Sequence, residues 1–338
     1  MYYGRELPGY PYNLKAIITR CMIVAQRIIF GRWLKNYSLH APLPYSYVKD
    51  TANKAIYDLL TSDRPCMIAR FGSGEMEATL RSLDVTSKGT WFVKVWRMCV
   101  GESGPFWWDN SVRAGLVWAA GLFPETNDIL ERFGQRVVVD CQQIDILAGW
   151  LAGEKRLHAM CFPNGKAIPL IDLEPYWSSM PWSAALKGKT VLLVHPFEKT
   201  ILTQYAKRAV LFKNADVLPD FNLKTYKTIV SLAGNKTPFS TWFDALDFMC
   251  KEIANVEFDI AIVGAGAYGM SIAAYIKRDL GKKVVHMGGA TQLLFGIKGH
   301  RWDQEPRYVN ELYNSHWCSP LPDDRPKDYK TIEGGSYW

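Results

Sequence analysis

Three stretches of the 338-residue chain place reactive or ligand-contacting residues directly after an apolar run, two of them with glycines. The first reads Ala69-Arg70-Phe71-Gly72-Ser73-Gly74-Glu75-Met76-Glu77. Gly72 and Gly74 let the backbone approach a ligand closely. Arg70 offers a planar fork for phosphate or carboxylate, and Glu75 can ligate a metal or take a proton. A purely structural reading is equally open: Glu75 and Glu77 as acids favoured at a helix start, with Arg70 as an ion-pair partner. The second stretch ends a strand at His195, with Pro196 suited to the first helical position and Lys199 shortly beyond. A helix start bearing His195 and Lys199 makes an anion site, or a plain capping turn.

The third stretch, Ile262-Val263-Gly264-Ala265-Gly266-Ala267-Tyr268-Gly269, is a literal G-x-G-x-x-G between a strand and a helix. A nicotinamide oxidoreductase wants an acid at the end of the next strand to hold the ribose. Here that strand runs Val284-Val285-His286-Met287-Gly288-Gly289, without one. Gly264, Gly266, Tyr268 and Gly269 therefore read as a phosphate- or nucleotide-contacting turn, or as a tight-packing turn; an NAD(P) enzyme is the weaker alternative. Further on, Gly288, Gly289 and Gln292 precede a basic loop with Lys298, Arg301, Trp302 and Asp303. That composition suits a phosphorylated, polyhydroxylated ligand. Trp302 either stacks on a sugar or fills the core, and Asp303 is a candidate for a hydroxyl or a metal. No GxSxG elbow, HExxH pair or P-loop lysine pattern occurs, and the six His lack zinc spacing.

Such residues need a scaffold that gathers strand ends. Candidate strands are Cys66–Ala69, Arg136–Asp140, Thr190–Val194, Thr228–Leu232, Asp259–Val263 and Lys283–His286. Helical patterns fall at 47–61, 74–83, 111–120, 125–133, 197–213, 241–255 and 268–280. The alternation predicts an α/β fold, a mostly parallel sheet with helices on both faces. In such a sheet ligands gather where the strands' carboxyl ends meet. Apolar residues reach 48% and charged residues 22%, which excludes a disordered chain and a polytopic membrane protein. The 13 Trp are many; most should fill the core. Seven Cys without CxxC spacing point to reduced thiols and a cytoplasmic setting, with no zinc site.

Charge is uneven. Residues 1–50 hold seven Lys or Arg and two Asp or Glu, so +5 of the net +7 lies there. A nucleic-acid footprint is therefore not expected. The opening residues lack the apolar core of a signal peptide. Residues 14–37 form a basic, apolar, helix-like segment, interrupted by Gln26 and Arg27 before it could span a bilayer. It packs on the protein or a partner, or lies on an anionic membrane surface. The expected organisation is an N-terminal extension over 1–45, a main domain over 46–317 and a Pro- and charge-rich tail over 318–338, either flexible or ordered on contact.

Several blocks resemble the bacterial GT-D fold glycosyltransferases: Arg70-Phe71-Gly72-Ser73-Gly74-Glu75, His195-Pro196-Phe197-Glu198-Lys199-Thr200-Ile201 with Gln204-Tyr205, Trp242-Phe243-Asp244-Ala245-Leu246, Phe258-Asp259-Ile260-Ala261-Ile262, Gly266-Ala267-Tyr268-Gly269, and His286 through Gly299. The resemblance runs from near Val48 to Asp303. It implies a Rossmann-like, GT-D type enzyme. The expected donor is a nucleotide sugar, typically a UDP-sugar, with a divalent metal (Mn²⁺ or Mg²⁺). The expected acceptor is a glycan or lipid-linked intermediate of bacterial surface polysaccharide. The implied catalytic residues are Glu75 and Arg70. Nucleotide-sugar contacts fall to Gly72, Ser73, Gly74, His195, Lys199, Gly264, Gly266, Tyr268, Gly269, Gly288, Gln292, Lys298 and Arg301. Metal ligation falls to Glu75 and Asp303. The family's first motif carries Asp-x-Glu; this chain has Ser73-Gly74-Glu75, and a hydroxyl brings no charge to a metal. That substitution keeps a catalytically weakened sugar-nucleotide binder as a further alternative.

Overall fold

The computed structural model describes residues 42–338 apart from 101, 109, 327–328 and 332–334. The segment 14–37 lies outside them. Seven strands form one all-parallel sheet: β1 Cys66–Ala69, β2 Ile146–Gly149, β3 Lys166–Pro169, β4 Thr190–His195, β5 Asn222–Lys227, β6 Ile260–Val263 and β7 Lys283–His286. Their order across the sheet is β3-β2-β1-β7-β6-β4-β5. The principal helices are α1 Lys49–Thr61, α2 Ser73–Thr86, α3 Trp91–Cys99, α4 Asn127–Asp140, α5 Glu154–Cys161, α6 Glu198–Tyr205, α7 Trp242–Ala254 and α8 Tyr268–Arg278. The architecture is the expected α/β, Rossmann-like one.

The strand sequences explain the layering. A strand covered on both faces reads as a continuous apolar run. Along β1, Met67 and Ala69 join one buried cluster with Phe133 of α4 and Ile272 of α8. Cys66 and Ile68 join the opposite cluster with Ile56 and Leu60 of α1. β4 and β6 alternate likewise: Leu192, Val194, Ala261 and Val263 on the first side, Val191, Leu193, Ile260 and Ile262 on the other. Two cores sandwich one sheet. The register sets Ile68 against Ile146 of β2 and Val285 of β7, so β1 and β7 end level at Ala69 and His286 while β2 runs two residues further to Gly149.

Two expected strands are corrected. Arg136–Asp140 is not a strand but the last turns of α4, continuous with the helical pattern expected over 125–133. Ile129, Leu130, Phe133, Gly134 and Val137 are buried at helical spacing, while Val139 is exposed. Packing of that stripe overrides the β-preference of three successive valines. Thr228–Leu232 is likewise not a strand; the edge strand β5 lies just before it, in the more polar Asn222–Lys227. The two strands beyond β1, β2 and β3, are four residues each and were not among the expected strands.

The tail over 318–338 is anchored at two places. Asp324 is buried and accepts from the Thr200 amide and hydroxyl, both at 2.7 Å, so α6 holds it. Tyr337 and Trp338 return to the carboxyl edge of the sheet, where they line the cavity described next.

Candidate functional site

A cavity of about 290 Å³ opens at the carboxyl edge, where the ends of β2, β1, β7, β6 and β4 converge. Each strand delivers its next residues to the wall: Trp150 after β2, Arg70 to Glu75 after β1, Gly288 and Gly289 after β7, Gly264 and Gly266 after β6, and Pro196 and Phe197 after β4. His195 and His286 are the last residues of their strands and also line it.

Arg70 is the central charge. It is half-buried, and among the described residues it makes no hydrogen bond and no ion pair. Its guanidinium lies 5.4 Å from the centre of the Trp150 ring, a cation–π contact. Burial lowers its pKa, an effect opposed by Tyr337 and by the more distant charges of Glu75 and Glu154. The chain makes room for it at Gly288, where φ is +61° and a Cβ would sit 3.1 Å from Arg70 Cδ. A buried cation without a counter-charge is costly unless an anion joins it.

Arg301 is the second cation on the wall. Its Nη1 donates to the Tyr337 hydroxyl at 3.1 Å, and its backbone amide donates to Ser336. The tail thus fixes this arginine over the cavity. Gly264 supplies a close approach of three segments: a Cβ there would lie 2.7 Å from Gly288 O, His195 Cδ2 and Thr291 Oγ1. The turn Gly264–Gly266 leads into α8; Gly264 N donates to Val194 O at 2.9 Å, and the first helical amides, Tyr268 N and Gly269 N, donate to Ala265 O and Gly266 O. Gln292 is buried and donates to Lys298 O at 2.9 Å and Tyr337 O at 3.2 Å, tying loop and tail together.

Both histidines are neutral at physiological pH. Burial pulls His195 down to about 3 and His286 to about 4, the latter helped by the Arg70 charge. Phe197 N donates to His195 Nδ1 at 3.0 Å, which leaves the proton on Nε2. His286 Nδ1 lies 3.1 Å from Val263 O and must donate there, which leaves Nε2 as the acceptor.

Among the described residues Glu75 is the one Asp or Glu side chain lining the cavity. It folds back over the start of α2, so that a Cβ at Gly72 would collide with it. Ser73 and Gly74 sit beside it on the wall. Asp303 is elsewhere: on a short exposed helix it accepts from the Tyr313 hydroxyl at 3.1 Å and does not reach the cavity. Among the described residues no three His, Cys, Asp or Glu gather as a metal site. A hard divalent cation takes six or more oxygens; Glu75 alone supplies one carboxylate, so the residues present do not by themselves make that site.

Of the remaining site residues expected from sequence, four lie outside the cavity wall. Lys199 pairs with Asp323 of the tail at 2.6 Å on the surface. Lys298 lies over the Tyr313 ring. Tyr268 is buried and stacks on Trp242 with ring centres 4.9 Å apart. Gly269 is a packing position, because a Cβ there would strike the His286 ring. Trp302 is core, buried against Gly299.

Sequence reasoning missed Trp150, Tyr337, Trp338 and Glu154. Glu154 is fully buried behind the wall; its Oε2 accepts from Trp150 N at 2.9 Å and its Oε1 has no hydrogen-bond partner. Burial pushes its carboxyl up to about 7, against backbone hydrogen bonds from Leu151 and Trp150 and the Arg70 charge. A signal existed in the sequence, Gly149-Trp150 followed by Gly153-Glu154, but it follows a strand that was itself unrecognised. Compared with protein families, curated proteins and solved structures, the chain matches no family model, no curated protein and no solved structure.

Proposed function

We propose that the carboxyl-edge cavity binds the diphosphate of a nucleotide sugar, typically a UDP-sugar, and that the protein is a glycosyltransferase of GT-D type acting on a glycan or lipid-linked acceptor of bacterial surface polysaccharide. The observation that carries this reading is Arg70: a cation at a concave, glycine-lined strand edge with no protein counter-charge in contact. Arg301 on the same wall supplies the further positive charge that a diphosphate needs, and Gly264 and Gly266 let the backbone approach it closely.

In the proposed reaction the bond from the anomeric carbon to the diphosphate oxygen breaks as the acceptor hydroxyl bonds to that carbon. Arg70 and Arg301 neutralise the charge that develops on the leaving diphosphate. The hydroxyl proton passes to the Glu75 carboxylate, among the described residues the one Asp or Glu side chain on the wall. The neutral His195 can donate its Nε2 proton to a sugar or phosphate oxygen without adding charge. No step is routed through a metal. Lys199, Lys298 and Asp303 have no part in it.

The test is a transfer assay with labelled nucleotide sugars and a glycan acceptor. Glu75→Gln should lower turnover about 10²- to 10⁴-fold with donor binding retained. Turnover at the native rate would remove Glu75 from the mechanism. Donor binding with no turnover in the native protein would support the binder alternative.

A further inference from the structure

Helix α3 turns its apolar face the wrong way for a core element. Val95 and Met98 are buried against the protein, yet Phe92 is 76% exposed, Trp96 67% and Val93 40%. Phe92 and Trp96 are four residues apart and share one face. Around them, residues 85–101 carry Lys88, Lys94 and Arg97 and no acidic side chain. Lys94 and Arg97 are fixed at the helix flanks by hydrogen bonds to Val85 O and Lys88 O. An exposed aromatic pair with three cations around it and one exposed acid, Glu102, just past the helix end has the basic, aromatic composition of a bilayer interface, where rings enter the headgroup boundary and cations meet phosphate. The alternative occupant, a second copy of the chain, would need roughly 800 Å² per partner. Phe92, Val93 and Trp96 offer on the order of 300 Å².

We propose that α3 docks the protein on an anionic lipid surface, with Phe92 and Trp96 inserted and Lys88, Lys94 and Arg97 facing the headgroups. The insertion carrying α3 continues through Gly115 and Ala120, which line the cavity. Docking through it therefore ties the membrane-facing side to one wall of the site. The inference is independent of what the cavity binds.

The experiment is co-sedimentation of the full chain with vesicles of phosphatidylcholine containing phosphatidylglycerol, and with phosphatidylcholine alone. The native protein should partition onto the anionic vesicles. Phe92→Ser with Trp96→Ser should weaken that partitioning by about tenfold or more, and Lys88→Glu with Arg97→Glu should abolish the preference for anionic lipid. Both aromatic side chains are exposed, so the melting temperature should be unchanged. As a second readout, Trp96→Phe should keep vesicle binding and lose most of the fluorescence quenching by brominated lipid. The proposal is overturned if the native protein does not sediment with vesicles. It is equally overturned if the double serine variant binds like the native protein, which would assign binding to segment 1–41, or if that variant instead converts a lipid-free dimer to a monomer.

Discussion

Arg70 and Glu154 form the electrostatic centre of the site, and each makes a separate prediction. Arg70→Ala should weaken binding of UDP about 10- to 100-fold, the worth of hydrogen bonds to a charged group at roughly 1.5–3 kcal/mol. Calorimetric titration reads this directly, and unchanged affinity would remove the anion role. Glu154 predicts a pH effect whose sign is fixed by its raised pKa, about 7 in the fold against an ordinary 4.5 for a glutamate. Between those values the folded protein holds a proton that the unfolded chain has lost, so the group's contribution to stability falls as pH rises through that window. Glu154→Gln keeps the acceptor for Trp150 N and cannot ionise. Its stability relative to the native protein should therefore grow by on the order of 2–3 kcal/mol from pH 4.5 to pH 8. A pH-independent difference in denaturant midpoint would contradict this. The residues legible in advance were those at or shortly after the ends of recognised apolar runs, namely Arg70, Glu75, His195, Gly264, Gly266, Gly288, Gln292 and Arg301. Trp150 follows a strand the sequence did not reveal and Tyr337 lies in the tail; only the fold brings them to the wall.

At the scale of elements, the crossing of α2 and α4 and the docking of the tail decide whether the wall holds its shape. Gly134 of α4 lies against Ser82 of α2, and a Cβ there would collide with the Ser82 side chain. Gly134→Ala should therefore lower stability by about 1–3 kcal/mol, although alanine is the better helix former. A rise in melting temperature would refute the close crossing. That crossing was hidden in the sequence because Val137-Val138-Val139 reads as a strand, and only burial at Phe133 and Val137 with exposure at Val139 settles it as helix. β2 and β3 were illegible for a related reason: Ile146–Gly149 is an apolar run too short to separate strand from helix, and in Lys166–Pro169 only Ala167 and Ile168 lie between a lysine and a proline. The tail tests differently. Asp324→Asn weakens the two bonds to Thr200, so hydrogen exchange should rise across 318–338, and UDP affinity should fall because Tyr337 no longer holds Arg301. Unchanged exchange would mean the tail is held by its other contacts, the Lys199–Asp323 pair, the Cys318 backbone bonds and its aromatic rings.

At the scale of the molecule, the strand order places five carboxyl ends around one cavity, with two arginines, neutral imidazoles and glycine turns on its wall. The alternation of apolar runs and helical periods was enough to read the sheet class, because strands covered on both faces announce themselves by continuous hydrophobicity. The order of strands was not legible, since it depends on which helices cross which face. That order is what makes one cavity wall of residues more than two hundred positions apart, Arg70 and Gly288 among them. Among the described residues no helix is long and apolar enough to cross a membrane. The most direct test is calorimetric titration of the full chain with UDP, GDP, CMP and dTDP sugars and with NAD(P), each in EDTA and then with Mn²⁺. Saturable binding of one sugar-nucleotide class in EDTA, lost in Arg70→Ala and absent for NAD(P), is the predicted result. Binding of NAD(P) alone, or of no sugar nucleotide under either condition, would contradict it.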